Sequence, residues 1–139
     1  MIKLVIDASV SVKWLIPEEL HEQAQAVQER GDELIAPGHW RTELVNAVWK
    51  KHASKRDIGR EACETAMKIG LALPMNIVPV EELLESAVQL ALQHSRTVYD
   101  SLYIALALRE KCQFVTADLK LYNAMKDALP ETMLWLGDC

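Results

Sequence analysis

The sequence has few of the residues that mark secreted, membrane-spanning or disordered proteins. Its three cysteines are odd in number, widely spaced and without a Cys-x-x-Cys pair, so neither a disulfide framework nor a zinc site is expected. Its five glycines and five prolines form no biased tract, so no disordered tail is expected. No segment reaches the roughly 18 uncharged apolar residues that a bilayer-spanning helix needs.

The sequence also has no pattern typical of a signal peptide and no ligand spacing typical of a soft-metal site. The first apolar run is interrupted at once by Asp7, so a signal peptide is not expected, and a soluble cytoplasmic protein without a membrane partner is predicted. The four histidines show no metal-ligand spacing, and each is expected to be a surface or packing residue. They are His21, His39, His52 and His94.

What the chain does have is enough apolar sequence for one core. With 139 residues, half of them hydrophobic, it is predicted to form a single domain over residues 1–139. Its net charge of −5 argues against a uniformly basic surface of the kind that binds nucleic acid. Any contact with RNA would therefore depend on a local group of cations.

Short strand patterns alternate with helical patterns along the chain. This alternation predicts an α/β fold with a central parallel sheet of about five strands, flanked by helices on both faces. Pro79 cannot donate to a strand ladder, so the third strand is expected at an edge. The predicted strands are Lys3–Asp7, Glu33–Ala36, Asn76–Val80, Gln113–Thr116 and Thr132–Leu136, and the predicted helices cover 10–16, 18–30, 39–51, 60–73, 81–94, 98–111 and 119–128.

Four acidic residues lie at the edges of these apolar segments. In an open parallel sheet, a site forms at the carboxyl ends of the strands, where the strand order reverses. Asp7 ends the first strand, and Asp118 follows the fourth by two residues. Glu43 and Asp100 lie in the first turns of helices that begin on the same rim. The four side chains are therefore expected to converge.

Each acid also has a structural explanation of its own. Asp7 and Asp118 are both placed to cap the helices that follow them. The segment Thr97–Asp100 has the spacing of a capping box. Glu43 shares a helix face with Asn46, and a solvated polar surface is the alternative explanation for that face. Taken one at a time, these alternatives stay open.

The group of four is harder to explain by capping. Two ionised carboxylates about 5 Å apart repel by roughly 3 kcal/mol at an effective dielectric constant near 20. Either raised pKa values or a bound cation would relieve this repulsion. An all-oxygen ligand set suits Mg²⁺ or Mn²⁺, and such ions activate water and neutralise a phosphodiester under attack.

These segments closely resemble the PIN domain family, and in particular the VapC-like toxin ribonuclease of a VapBC-type toxin–antitoxin pair. The resemblance extends over the whole chain. Four motifs in order make the pattern specific, although any one alone is weak. They are Ile6-Asp7-Ala8-Ser9, Glu43-Leu44-Val45-Asn46, the segment 99–107 (YDSLYIALA) and Val115-Thr116-Ala117-Asp118.

The resemblance implies an endoribonuclease dependent on Mg²⁺ or Mn²⁺, often a homodimer, inhibited by an antitoxin whose carboxy-terminal segment wraps the toxin groove. It assigns the metal and the catalysis to Asp7, Glu43, Asp100 and Asp118. Ser9 and Thr116 would support the site through their hydroxyl groups, and Asn46 through its amide. Lys120 stands where some members carry a further acid, which bears on whether a second metal binds.

The sequence alone leaves two questions about function open. A basic group is a candidate for binding RNA phosphates, or is simply a solvated helix end; its members are Lys13, Lys50, Lys51, Lys55, Arg56 and Arg60. A catalytically weak PIN-like protein that binds RNA or a partner is the alternative function. A receiver domain is disfavoured because it needs an acidic pair after the first strand, and an Asp-nucleophile phosphatase because Ser9 stands where it needs a second Asp.

Overall fold

The strands form one parallel sheet in the computed structural model, which describes residues 2–139. The order across the sheet is β3-β2-β1-β4-β5, and every neighbouring pair is parallel. The predicted α/β fold is confirmed, and β3 lies at an edge as expected. The strands are β1 (Lys3–Ile6), β2 (Glu33–Pro37), β3 (Asn76–Val78), β4 (Gln113–Thr116) and β5 (Met133–Trp135).

Seven α-helices connect or follow these strands within residues 2–139. They are α1 (Ala8–Leu15), α2 (His21–Glu29), α3 (Trp40–Ala53), α4 (Arg60–Ala72), α5 (Leu84–His94), α6 (Val98–Glu110) and α7 (Leu119–Met125). In this part of the chain no helix has the length and apolar character required to cross a bilayer.

Several helix ends differ from the predicted ones for local reasons. α1 begins at Ala8 rather than Val10, because the backbone N–H groups of Val10 and Ser11 already donate to the carbonyl of Asp7. α5 begins at Leu84 rather than at residue 81, because Pro79 is followed by a 3₁₀ turn over Val80–Glu82. These differences move the start of a helix by a few residues and leave the order of strands and helices unchanged.

Helices cover both faces of the sheet, as the side-chain alternation along β1 shows. Leu4 and Ile6 point to one face, where they join a cluster with Val27 of α2. Val5 points to the other face and joins the larger cluster, which includes Phe114 of β4. The larger cluster also contains Trp40, Leu44, Val48, Leu102, Tyr103 and Leu106.

The helix α6 is the most buried helix against the sheet. Every residue from Ser101 to Ala107 is buried, which confirms the prediction of a central helix made from its apolar sequence. α6 packs against α5 and against β1, β2 and β4. The first turn of α6, which carries Asp100, is thereby fixed relative to the carboxyl ends of the central strands.

The strand order places the site between β1 and β4. The chain moves from β1 outward to β2 and β3, and then returns to the other side of β1 as β4. The order therefore reverses between β1 and β4, and the register aligns Ile6 with Val115. Loops leaving these two strands diverge at this point and open a crevice at the carboxyl edge.

A pair of leucine substitutions tests the buried position of α6. Leu106→Ala is expected to lower the free energy of unfolding by about 2–5 kcal/mol, because Leu106 is fully buried. Leu92→Ala, at a side chain 75% exposed on α5, should change it by about 0.5 kcal/mol or less. Urea denaturation at one protein concentration measures both values. Equal losses for the two variants would contradict the assigned packing.

Candidate active site

Asp7 lies at the floor of the crevice, directly after β1. It is only 7% exposed. Its Oδ2 accepts hydrogen bonds from the Thr116 hydroxyl at 2.7 Å and from the Ser9 hydroxyl at 2.9 Å. Although Asp7 occupies the N-cap position of α1, its side chain makes no capping hydrogen bond there. The capping alternative is therefore wrong for this residue.

The same two hydroxyl groups also order the loop after β4. The Ser9 oxygen accepts the backbone N–H of Ala117 at 3.0 Å, and the Thr116 oxygen accepts that of Asp118 at 3.0 Å. Each hydroxyl thus donates to Asp7 and accepts from the β4 loop. The network fixes the Asp7 carboxylate relative to Asp118.

Glu43 reaches the site from the first turn of α3. Its Oε1 accepts a hydrogen bond from the Tyr103 hydroxyl at 2.7 Å, and Nε2 of His39 lies 3.5 Å from the same oxygen. Burial lowers the pKa of His39, and the Glu43 carboxylate opposes this effect. Asn46 lies exposed one turn further along α3.

Asp100 and Asp118 combine local capping with positions at the crevice. The Thr97 hydroxyl accepts the backbone N–H of Asp100 at 3.1 Å, so Thr97 caps α6 as the sequence suggested. Asp118 caps α7, since its Oδ1 accepts the N–H of Leu121 at 3.1 Å. The capping alternative is therefore correct for Asp118, but it uses only one of the two carboxylate oxygens.

The charges of the four acids influence one another. The pKa of Asp7 is raised to about 7, mainly by burial and also by the Glu43 and Asp100 carboxylates, while the two hydroxyl groups oppose the shift. Burial also raises the pKa of Asp100, followed by the charges of Asp118 and Glu43. The four predicted acids are thus brought to one region in which ionising all of them is unfavourable.

The donor set in this region consists of oxygen atoms, which suits a hard divalent cation. Within residues 2–139, no three Asp, Glu, His or Cys side chains are grouped tightly enough to form a complete ligand set. The hydrogen bonds described above use Oδ2 of Asp7, Oε1 of Glu43 and Oδ1 of Asp118. The second oxygen of each carboxylate takes no part in these hydrogen bonds.

A cavity of about 230 Å³ adjoins the acids and contains two cationic side chains. Asp100 and Asp118 line it together with Arg96 and Lys120. The charge of Arg96 lowers the pKa of Asp100, although burial and the neighbouring acids outweigh it. Arg96 was not among the predicted site residues. Its place immediately before the cap of α6 is a sequence signal that could have identified it.

Half of the predicted basic group forms ion pairs away from the acids. Lys13 and Lys51 both donate to the carboxylate of Glu18, and Arg60 pairs with Glu64 at 2.9 Å. Burial raises the pKa of Glu18, but the two lysines outweigh burial and lower it overall. These residues do not line the cavity beside Asp100 and Asp118.

The rest of the basic group lies in the last turn of α3 and in the segment that follows it. Lys50, Lys55 and Arg56 are exposed near the far end of α3. Ten residues of helix separate Glu43 from Ala53, the last residue of α3, which corresponds to about 15 Å. Cations at this end of the helix therefore lie beside the acidic site and not within it.

Sequence reasoning missed the partners of Glu43. His39 was expected to be a surface or packing residue; it packs on the Tyr103 ring with centroids 4.8 Å apart, and it also approaches Glu43. Tyr103 was noted only as part of the family-like segment. A tyrosine within the apolar run of α6 was the available signal, because a buried tyrosine hydroxyl normally has a hydrogen-bond partner.

Comparisons with known proteins identify the family of this chain. Residues 4–126 match the family profile described as the PIN domain. Ribonuclease VapC3 of Pyrobaculum aerophilum is 34% identical over 123 residues, which cover 86% of this chain and 92% of that protein.

Solved structures share the fold at low sequence identity. PAE2754 from Pyrobaculum aerophilum has a TM-score of 0.66 at 18% identity, covering 99% of this chain and 85% of that one. VapC20 of Mycobacterium tuberculosis, described as a toxin that cleaves the sarcin-ricin loop, has a TM-score of 0.61 at 17% identity over 82% and 87% of the two chains. The profile match and the identity to VapC3 both extend over most of the sequence, and this chain belongs to the PIN domain family.

Proposed function

We propose that this chain is a metal-dependent endoribonuclease that acts as the toxin of a type II toxin–antitoxin module. The observation that carries the proposal is the buried Asp7 carboxylate, held by two hydroxyl groups and influenced by the charges of Glu43 and Asp100. A structural role for Asp7 as a helix cap is excluded, so another reason is needed for placing a carboxylate there. The relative named a ribonuclease supports the same assignment.

Asp7, Glu43, Asp100 and Asp118 would hold Mg²⁺ or Mn²⁺. When bound, such an ion lowers the pKa of a water molecule and neutralises charge on the phosphodiester. Asp7 has a pKa near neutrality, and a cation would replace the proton that its surroundings favour. Ser9 and Thr116 orient Asp7 by donating to a single oxygen, which leaves the other available. Asn46 would support the site through its amide.

Arg96 and Lys120 are assigned to the substrate phosphate. They share a cavity with Asp100 and Asp118, and its volume of about 230 Å³ is below the range of about 300–1,000 Å³ typical for small-molecule pockets. Such a cavity suits a phosphate better than a whole nucleotide. The exposed cations at the far end of α3 would contact the flanking RNA backbone, so a chain of net charge −5 still offers phosphate contacts at two places.

The partners proposed for the chain are an antitoxin and a second copy of itself. Among the solved structures with this fold is VapBC2 of Rickettsia felis bound to a promoter DNA fragment, with a TM-score of 0.62 at 12% identity over 96% of this chain and 98% of that one. On α4, Ile69 and Leu71 are 50% and 61% exposed, and apolar surface of this kind suits a partner protein. We propose the cytoplasm as the location of this activity, because an RNA substrate would be available there.

Cleavage of RNA tests the proposed activity directly. The purified chain with Mn²⁺ or Mg²⁺ should cleave RNA, and a chelator should abolish cleavage. Asp7→Asn should lower the rate about 100-fold or more, because a metal ion contributes several kcal/mol to charge stabilisation. Asp127→Asn, at an exposed acid outside the site, is the matched control and should cleave like the parent. Cleavage that survives both the chelator and Asp7→Asn would refute metal dependence, and no cleavage by the parent would favour the binding-protein alternative.

Stability as a function of pH tests the environment of Asp7. The folded-state pKa of about 7 lies above the ordinary aspartate value of 3.8, so ionised Asp7 destabilises the fold above about pH 7, and this destabilisation disappears below about pH 4. In chelator at pH 8, Asp7→Asn should therefore unfold with a free energy about 1–4 kcal/mol higher than the parent, and the difference should shrink towards pH 4.

Added Mn²⁺ provides the second arm of this experiment. It should raise the Tm of the parent at pH 8 and have much less effect on Asp7→Asn, because a ligand stabilises only the state that binds it. Chemical denaturation and thermal scans supply both measurements. A variant that is less stable than the parent at pH 8 in chelator would show that the carboxylate itself stabilises the fold.

RNA affinity tests the assignment of the phosphate contacts. In the cleavage-impaired Asp7→Asn background, Arg96→Gln and Lys120→Gln should each weaken RNA binding about 10-fold, because each loses a charge-assisted contact. Each should also reduce the slope of log K against log salt by about 0.7. Lys55→Gln is the comparison at the far end of α3. Fluorescence anisotropy measures all three, and a larger loss for Lys55→Gln would place the main phosphate contacts on α3.

A further inference from the structure

We propose that Tyr103 and His39 are positioning residues that fix the Glu43 carboxylate for a divalent cation. This inference rests on the proposed metal-dependent function and adds two side chains of this protein to it. Both approach the same oxygen, Oε1 of Glu43, at 2.7 Å for the Tyr103 hydroxyl and 3.5 Å for Nε2 of His39. Oε2 is used by neither.

The Tyr103 hydroxyl is held rigidly by the core. The side chain is fully buried, and its ring stacks on Phe114 of β4 with centroids 5.3 Å apart and an interplanar angle of 12°. The ring therefore cannot change rotamer without disturbing the packing beneath the sheet. The Tyr103 hydroxyl donates to the Glu43 carboxylate. The position of the Glu43 side chain therefore depends on α6, which carries Tyr103, as well as on its own helix α3.

His39 adds a second tie between the same two helices. Its Nε2 lies 3.0 Å from the backbone carbonyl of Tyr99, which can only accept, so Nε2 carries a hydrogen. Its Nδ1 is buried and has no hydrogen-bond partner among residues 2–139, as expected for the unprotonated nitrogen of a neutral ring. The Nε2–H of His39 thus donates to the Tyr99 carbonyl, while Oε1 of Glu43 lies 3.5 Å from the same nitrogen.

These contacts set the spacing of two proposed metal ligands. His39 immediately precedes α3, which carries Glu43, and Tyr99 immediately precedes Asp100 on α6. A glutamate side chain that is 36% exposed would otherwise lose considerable rotamer freedom on binding an ion. Fixing Glu43 beforehand removes that cost. Hydrogen-bond partners of metal ligands typically contribute 10–100-fold to metal affinity or activity.

The test is Tyr103→Phe, which removes one oxygen atom and leaves the stacked ring. The Mn²⁺ Kd from calorimetry should rise about 10-fold, and the Mn²⁺ concentration for half-maximal RNA cleavage should rise by the same factor. At saturating Mn²⁺ the kcat should return to near the parent value. Tyr99→Phe is the matched control, since it makes the same chemical change at a side chain 63% exposed, and its Mn²⁺ Kd should be unchanged.

His39 is tested by a pair of substitutions. His39→Leu should weaken Mn²⁺ binding, and His39→Gln, which keeps an N–H donor, should restore part of it. The Tm in chelator should be similar for Gln and Leu, so a difference in Mn²⁺ Kd between them supports positioning over simple packing.

Metal binding and RNA cleavage by the parent chain distinguish a wrong positioning role for Tyr103 from a wrong proposed function. A parent chain that binds Mn²⁺ and cleaves RNA, with Tyr103→Phe binding Mn²⁺ equally well, overturns the positioning role and leaves the proposed function intact. A parent chain that neither binds Mn²⁺ nor cleaves RNA overturns both.

Discussion

The structure is organised around a carboxylate buried at the point where the strand order reverses, between β1 and β4. Asp7 follows the central strand β1, is shielded from solvent, and depends on two hydroxyl groups for its polar contacts. Burying a charge in this way is costly unless it is paired or coordinates a metal. The strand order is what makes the arrangement possible, since only the reversal between β1 and β4 brings Ser9 and Thr116 to the same oxygen atom.

Helix α6 combines structural and chemical roles in a short length of chain. Its buried residues form the core against the sheet, its first turn supplies Asp100, and Tyr103 reaches from that core to Glu43. Precise placement of a functional group requires a rigid support, and a helix buried on nearly all sides provides one. The same burial explains why the sequence of α6 is apolar almost throughout, with few polar positions.

The sequence predicted the fold and the four acids better than it predicted their partners. Strand and helix periodicity, together with the rule for the carboxyl edge of a parallel sheet, was enough to place Asp7 and Asp118 on one rim. Capping explanations were correct for Asp118 and wrong for Asp7, since N-cap spacing does not reveal which donors a side chain will meet. The contacts of Tyr103 with Glu43 and of Lys51 with Glu18 join residues 60 and 33 positions apart, and only tertiary packing determines them.

The ion triad of Glu18 with Lys13 and Lys51 gives α3 a second anchor. At its beginning, α3 is tied to α6 through His39; at its far end, Lys51 is tied to the loop after α1 through Glu18. Because α3 is held at both ends, we expect Glu43, near its start, to have little freedom to move with a substrate. Because the three charged side chains are mostly shielded from water, salt will screen this far anchor only weakly. The edge of the sheet that carries the four acids should therefore keep its shape across the ionic strengths that would alter the proposed RNA binding.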